Sequence, residues 1–206
     1  MITEPNVKKI LQKDLSFSIK QIAKLDNFVK YLLNFNKNRN LISKSTEKVV
    51  WARHILDSAQ LTRFINQNEC SSIADLGSGG GFPGIVLSIF YENCNFHVKL
   101  YEKSPVKSKF LSDIVKILGL KSKVISSDIN SLKIDSNYIV CRAFKKLPQI
   151  LNISRENCIK KHKMIIMKGR NAQEEINKAS QLKNYKYKLE KSITDDDSRI
   201  IILNAD

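Results

Sequence analysis

Nothing in this chain approaches the run of about 18 apolar residues that a membrane-spanning helix needs. The opening Met1-Ile2-Thr3-Glu4-Pro5 has no basic stretch followed by an apolar one, so no secretory signal is expected. Cysteine is sparse, and Cys70, Cys94, Cys141 and Cys158 include no C-x-x-C pair. Their spacing disfavours a zinc site or a redox dithiol and fits reduced thiols in a cytosol. Histidine is rarer still, at three residues, and glycine numbers only seven in 206, which makes its placement informative. No internal repeat or low-complexity linker interrupts the chain.

What the chain does have is apolar mass and positive charge. Hydrophobic residues make up 42% of it, enough to bury a core and to exclude disorder on composition. Thirty-five Lys and Arg stand against twenty Asp and Glu, a net charge of +15. Such an excess points to a polyanionic partner, a nucleic acid or an anionic membrane surface. The joint richness in Lys, Ile and Asn is also what a codon bias toward A and T produces with no ligand behind it. The length suits one good-sized domain, or one with an appendage.

Residues up to about 68 read as helical and the rest as alternating strand and helix. Leu25, Phe28, Val29, Leu32 and Phe35 fall on one helical stripe, which the polar residues Asn36 to Asn40 interrupt. A second helix is expected from about Glu47, through Trp51 and Ile55, to Phe64. The division is therefore an N-terminal helical cap, 1–68, and a main domain, 69–206. In the main domain, short apolar runs predict strands over 73–76, 97–102, 123–126, 138–141 and 164–167. Helices are predicted from Ile85 to Phe90 and, behind Pro105, from Lys107 to Leu118, with Gly119 as the stop. This alternation calls for a parallel sheet with right-handed crossovers. The end differs: Tyr187 to Ile193 and Arg199 to Leu203 flank Asp195-Asp196-Asp197, which predicts an antiparallel hairpin. A Rossmann-like α/β sheet closed by such a hairpin resembles the class I S-adenosylmethionine-dependent methyltransferase fold more than a simple dinucleotide-binding domain.

More than half of the glycines lie in one stretch, Asp75-Leu76-Gly77-Ser78-Gly79-Gly80-Gly81-Phe82-Pro83-Gly84. A strand that ends in glycines and opens a helix lets backbone amides approach a ligand closely. Gly79 to Gly84 also satisfies G-x-G-x-x-G, which alone is a weak dinucleotide signal. Pro83 removes an amide donor where a pyrophosphate loop would want one. Asp75 places a carboxylate beside the loop, which suits a cationic, zwitterionic ligand such as S-adenosylmethionine better than a diphosphate. Glu102 ends the second strand about 20 residues on, where an acid binds ribose hydroxyls in both ligand classes. Asp128, after the third strand, is placed to accept from an adenine amine, with the Ile129 amide donating to the ring; a helix N-cap is its competing role.

The predicted substrate edge is cationic. The fourth strand ends in Arg142-Ala143-Phe144, then Lys145 and Lys146, and the fifth in Lys168-Gly169-Arg170. In an open parallel sheet ligands bind at these strand ends, and Arg and Lys there favour phosphate. The Asn/Asp-Pro-Pro-aromatic run that enzymes methylating exocyclic amines share is absent. Cys141 lies inside an apolar run and reads as a packed residue. His54 falls three residues before Asp57, on one helix face with it, and reads as a packed or capping histidine with no metal role. What remains is an acceptor atom that is already nucleophilic. Guanine N7 qualifies, because its lone pair needs no general base and alignment suffices.

These residues resemble one family. Asn40-Leu41, Arg53-His54-Ile55-Leu56-Asp57-Ser58, the loop from Asp75 to Gly84, Arg142-Ala143-Phe144, Lys168-Gly169 and Arg199 occur in the order of the RsmG family, also called GidB. The likeness runs from about Asn40 to Arg199. It implies a bacterial enzyme making 7-methylguanosine in the 530 loop of 16S rRNA, at guanine 527, in the cytoplasm. The cofactor implied is S-adenosylmethionine; the partner is 16S rRNA or the small ribosomal subunit, with no membrane, no metal, and the enzyme a monomer. Cofactor contacts are expected at Gly77, Phe82, Asp128, Ile129 and Arg142, beside Asp75, Gly79 and Glu102. The substrate side is Arg142, Lys168, Arg199 and His54. Two departures stand out. The family commonly has Arg-Ala-Glu where this chain has Ser127-Asp128-Ile129, and Ser in place of Cys141. The competing readings are a class I methyltransferase with another RNA or a protein substrate, a non-enzymatic rRNA-binding assembly factor and, more weakly, an NAD-linked oxidoreductase.

Overall fold

All five residues of β1 (Ser72–Leu76) are buried, and this short apolar run is the middle of the molecule. Around it lie β2 (His97–Tyr101), β3 (Lys123–Ile125), β4 (Tyr138–Arg142), β5 (His162–Lys168), β6 (Tyr187–Lys191) and β7 (Arg199–Ala205). The computed structural model describes residues 2–66, 72–179 and 185–205. It joins the strands in one sheet of order β3-β2-β1-β4-β5-β7-β6. β1 to β5 run parallel, and β7 is antiparallel to both β5 and β6. The predicted strands are all present, with ends moved by one or two residues. The hairpin is folded into the sheet, so the last strand of the chain sits inside it, between β5 and β6.

Side chains on a strand alternate between faces. Met164 and Ile166 of β5 enter one core cluster, and Ile165 and Met167 the other. Ile139 and Cys141 of β4 alternate in the same way with Tyr138 and Val140, as do Ile201 and Leu203 of β7 with Ile200 and Ile202. Both faces are covered, which is why these strands read as unbroken apolar runs.

The first face is covered by α1 (Glu4–Lys13), α2 (Ile19–Asn36), α5 (Gly84–Phe90) and α6 (Pro105–Ile117); the second by α7 (Leu147–Asn157) and α8 (Ala172–Lys178). Two short elements, α3 (Lys44–Glu47) and α4 (Asp57–Ala59), lie between α2 and β1. The division expected after residue 68 falls outside the described residues. The helices before it share one core cluster with the sheet: Leu11, Leu25, Phe28 and Ile55 pack with Ile73, Ile85 and Val140. Ser18 and Gln21 form a capping box at the start of α2. The Gln21 amide then donates to the carbonyls of Ile89 and Phe90 at 3.2 and 2.7 Å. These belong to the last turn of α5, where carbonyls lack helical partners, so one side chain starts α2 and seats it on α5.

The helix expected from Glu47 to Phe64 is an unbroken coil from Val50 to Phe64, but it is not uniformly α. α3 is followed by a π turn at Trp51–Leu56, then α4, then a 3-10 segment at Gln60–Phe64. A π turn widens the coil and shifts its hydrogen-bond register, and such turns concentrate at functional sites. This one contains His54.

Candidate functional site

The loop between β1 and α5 is stitched to the end of β2. The amides of Gly77 and Ser78 both donate to the Tyr101 carbonyl, at 2.9 and 3.0 Å. Gly77 takes a φ of +72, a conformation that side chains disfavour. Glu102 fixes the next turn, accepting from the Gly79 amide at 2.9 Å and the Ser104 amide at 2.8 Å. Each carboxylate oxygen keeps a lone pair for a hydroxyl. The result is a cavity of about 520 Å³. Gly77, Gly79, Phe82, Glu102, Asp128, Ile129, Arg142 and His54 all line it, so eight of the expected residues meet in one place. Asp128 also caps the 3-10 turn that follows it, accepting from the Asn130 amide at 3.0 Å. The capping role of Asp128 is thus observed, in a residue that also lines the cavity.

Asp75 is the correction. It is fully buried beneath the loop and is not part of the cavity wall. One oxygen accepts from the Gly84 amide at 3.0 Å, at the first turn of α5, and the other has no hydrogen-bond partner. Burial pushes its carboxyl up to about 7. A carboxyl that faces inward and lies outside the cavity wall does not touch a ligand held there. It fastens the loop to the helix.

A second cavity of about 720 Å³ opens on the far side of Arg142. Ser43, His54, Arg142, Ala143, Phe144 and Lys145 line both cavities and form the wall between them. Arg142 is held there by the π turn. It donates to the Arg53 carbonyl at 3.0 Å and the Asp57 carboxylate at 3.3 Å, and lies 2.5 Å from His54 Nδ1. His54 Nε2 pairs with Thr46 Oγ1 at 2.9 Å, so the Nε2–H tautomer of neutral His54 satisfies both neighbours. Burial, with Arg142 and Arg53 nearby, pulls its pKa down to about 3. Phe82 lies under this group, its ring 4.9 Å from that of His54 and 5.2 Å from the Arg142 guanidinium. The Asp57 carboxylate also accepts from Gln60 at 2.9 Å and Thr194 at 2.7 Å, which ties the π turn and β4 to the β6–β7 turn.

Lys168 and Arg199 line the second cavity, as expected for the substrate edge, but neither is idle. Lys168 donates to the Lys145 carbonyl at 2.7 Å and pairs with Glu175 of α8 at 2.8 Å. Arg199 donates to the carbonyls of Asp196 and Ser198. Cys141 is buried in the apolar core and its thiol is pushed up to about 12, as a packed residue requires. Sequence reasoning missed Lys103 and Lys107 on the rim of the first cavity, Glu175 in the lining of the second, and Gln60 and Thr194, which hold the Asp57 carboxylate behind it. No local pattern marks these five; chain segments far apart bring them in. Among the described residues no three of His, Cys, Asp and Glu are grouped to hold a metal ion, and no helix is long and apolar enough to cross a membrane.

Comparison with known proteins places these features. A family model described as rRNA small subunit methyltransferase G matches residues 21–199. The ribosomal RNA small subunit methyltransferase G of Pelagibacter ubique is 36% identical over 196 residues, covering 93% of this chain and 92% of that protein. The Rickettsia felis protein of the same name is 38% identical over 180 residues, covering 87% and 91%. Among solved structures, an O-methyltransferase from Bacillus cereus in complex with SAH superposes with a TM-score of 0.60 at 14% identity, covering 97% of each chain. A SAM-dependent methyltransferase from Aquifex aeolicus gives a TM-score of 0.59 at 14% identity, covering 84% of this chain and 97% of that one. At such identities the structural likeness is one of fold.

Proposed function

The chain belongs to the rRNA small subunit methyltransferase G family, and from that premise we propose that it methylates N7 of a guanine in the 530 loop of 16S rRNA, guanine 527. Like its family, it is an S-adenosylmethionine-dependent rRNA methyltransferase. The glycine-loop cavity fits that cofactor. Its volume of about 520 Å³ lies in the range of small-molecule sites. The Gly77–Gly79 backbone would hold the amino-acid end, the Glu102 carboxylate would accept from the ribose hydroxyls, and Ile129 and Asp128 would flank the adenine. When bound, the cofactor supplies an electrophilic methyl group on a sulfonium.

The observation that carries the N7 reading is the wall between the two cavities. An acceptor must meet the methyl group at about 3–3.5 Å, hence at this wall. Its one proton-accepting ring, His54, has both nitrogens occupied and a pKa near 3. Among the described residues no carboxylate or free imidazole of that wall is set to deprotonate an amine or hydroxyl, whereas N7 carries a free lone pair. Arg142 then stabilises by position and charge, with Phe82 and Asp57 fixing its plane. The basic rim favours an RNA backbone, and we place the work in the cytoplasm, by a monomer on rRNA or the small subunit. Labelled S-adenosylmethionine with 16S rRNA or 30S particles from a strain lacking the homologue tests this. Label is expected in 7-methylguanosine at one site; its absence there sinks the reading, and mass spectrometry of the product identifies another acceptor. Size-exclusion chromatography with light scattering tests the monomer.

A further inference from the structure

The 720 Å³ cavity has no assigned occupant. It shares its inner wall with the cofactor cavity, so a reacting base must enter through it. It is far too small for a double helix, so a paired nucleotide would have to leave its stack to reach the wall. The groups able to recognise a base inside it are few. Arg142 is committed to Asp57, His54 and the Arg53 carbonyl. That commitment is useful, because a donor aimed at N7 would occupy the attacking lone pair. Lys168 is held by Glu175 and the Lys145 carbonyl.

Two carboxylates line the cavity among the described residues, Asp57 and Glu175. Both oxygens of Asp57 are taken, one by Gln60 and Thr194, the other by Arg142. Glu175 is different. Its Oε2 accepts from Lys168 and from the Leu147 amide, each at 2.8 Å, which fixes the side chain at the start of α7. Its Oε1 takes part in no hydrogen bond or ion pair among the described residues, and the side chain is 29% exposed. A pre-oriented acceptor with an open oxygen therefore faces a cavity whose one other carboxylate among the described residues, Asp57, is fully engaged.

We infer that this cavity is the acceptor-base pocket and that Glu175 determines its specificity, by accepting hydrogen bonds from the N1–H and N2–H donors of guanine. The inference rests on the guanine-N7 reading above. In a purine, N7 and the N2 amine lie at opposite ends of the fused ring. A base that offers N7 to the shared wall therefore turns its pairing edge outward, toward Glu175 beyond Lys145. Adenine presents an acceptor at N1 and meets the carboxylate with repulsion. Accepting from N1–H also leaves more electron density on the ring, which favours attack by N7.

The test compares methyl transfer to RNA carrying guanosine or inosine at the mapped acceptor position, with wild-type protein, Glu175→Gln and Lys168→Met. Inosine keeps N7 and N1–H but lacks the N2 amine. Wild-type protein is expected to prefer guanosine in kcat/KM by roughly tenfold to a hundredfold. Glu175→Gln retains an oxygen for Lys168 and Leu147 but turns a donor toward the base. Its kcat/KM for guanosine should fall at least about a hundredfold and the guanosine-to-inosine ratio should collapse toward one with cofactor affinity unchanged, while the melting temperature falls because Lys168, 10% exposed, loses its ionic partner. Lys168→Met should lower activity and reduce the ratio only in part, because the Leu147 amide still holds Glu175 Oε2. A ratio preserved in Glu175→Gln, or lost equally in Lys168→Met, overturns the role of Glu175. Failure of wild-type protein to transfer to any guanine N7 overturns the functional reading itself.

Discussion

Replacing His54 with Asn should make the fold less sensitive to acid. In the folded protein the pKa of His54 is pulled down to about 3, against an ordinary value of 6.5, because it is buried against Arg142. Between those values the unfolded chain binds a proton that the folded chain does not, so acid favours unfolding. The loss begins as pH falls through 6.5 and approaches about 1.4 kcal/mol per pH unit. From pH 7 to pH 5 it sums to about 2 kcal/mol. This sum hardly changes if the folded value is anywhere below about 4. Asn offers an oxygen to Arg142 and does not titrate. It forfeits the ring contact with Phe82 at every pH, so the diagnostic quantity is the slope. Asp75 acts in the opposite direction. Its carboxyl is raised to about 7, so it costs stability as pH climbs above the unfolded value; both proteins carry it, and it cancels. Urea unfolding or melting at pH 7, 6 and 5 is the assay. The wild type should lose about 2 kcal/mol more than the variant by pH 5, or about 4–8 °C in melting temperature at this chain length. Parallel curves would refute a neutral, buried His54.

Gly77→Ala should weaken cofactor binding by tenfold or more in calorimetry. Its φ is +72, and an added Cβ would stand 2.3 Å from Phe144 Cδ2, on the wall shared by the cavities; unchanged affinity would contradict this. Gly84→Ala should cost stability, about 1–3 kcal/mol, because the Cβ meets Leu100 at 2.3 Å and the Asp75 carboxylate at 2.4 Å. A urea midpoint equal to the wild type's would count against that packing. Asp57→Ala strands the Arg142 guanidinium, whose side chain is 18% exposed, and about 3–5 kcal/mol should be lost. A loss under 1 kcal/mol would mean that Arg142 finds other partners.

The sheet was legible because its strands are buried on both faces. Residues 138–141 and 164–167 are continuous apolar runs, and Gly119 ends α6 where a stop was expected. The glycine loop was legible because few other residues tolerate its turns. Partner choice was not legible. Asp75 lies beside the loop in sequence, yet its side chain points inward to Gly84, a decision made by packing against Leu100 and the start of α5. Lys168 and Arg199 read as free cations because their partners, Glu175 and two turn carbonyls, come from tertiary contact. The π turn at Trp51–Leu56 was hidden because helical periodicity looks the same whether one coil is widened or not. One of its carbonyls, that of Arg53, accepts from Arg142, 89 residues on, a partner that no local pattern announces.

The hydrogen bonds of Asp57 impose an order of events during synthesis. A nascent chain that has emerged as far as β5 already carries the glycine loop and Arg142. It still lacks Thr194 and the final strand, β7, which must slot between β5 and β6. Until that strand leaves the ribosome the Asp57 carboxylate is only partly satisfied and the outer wall of the second cavity is missing. The finished site thus comes into being only once β7 has been threaded between β5 and β6.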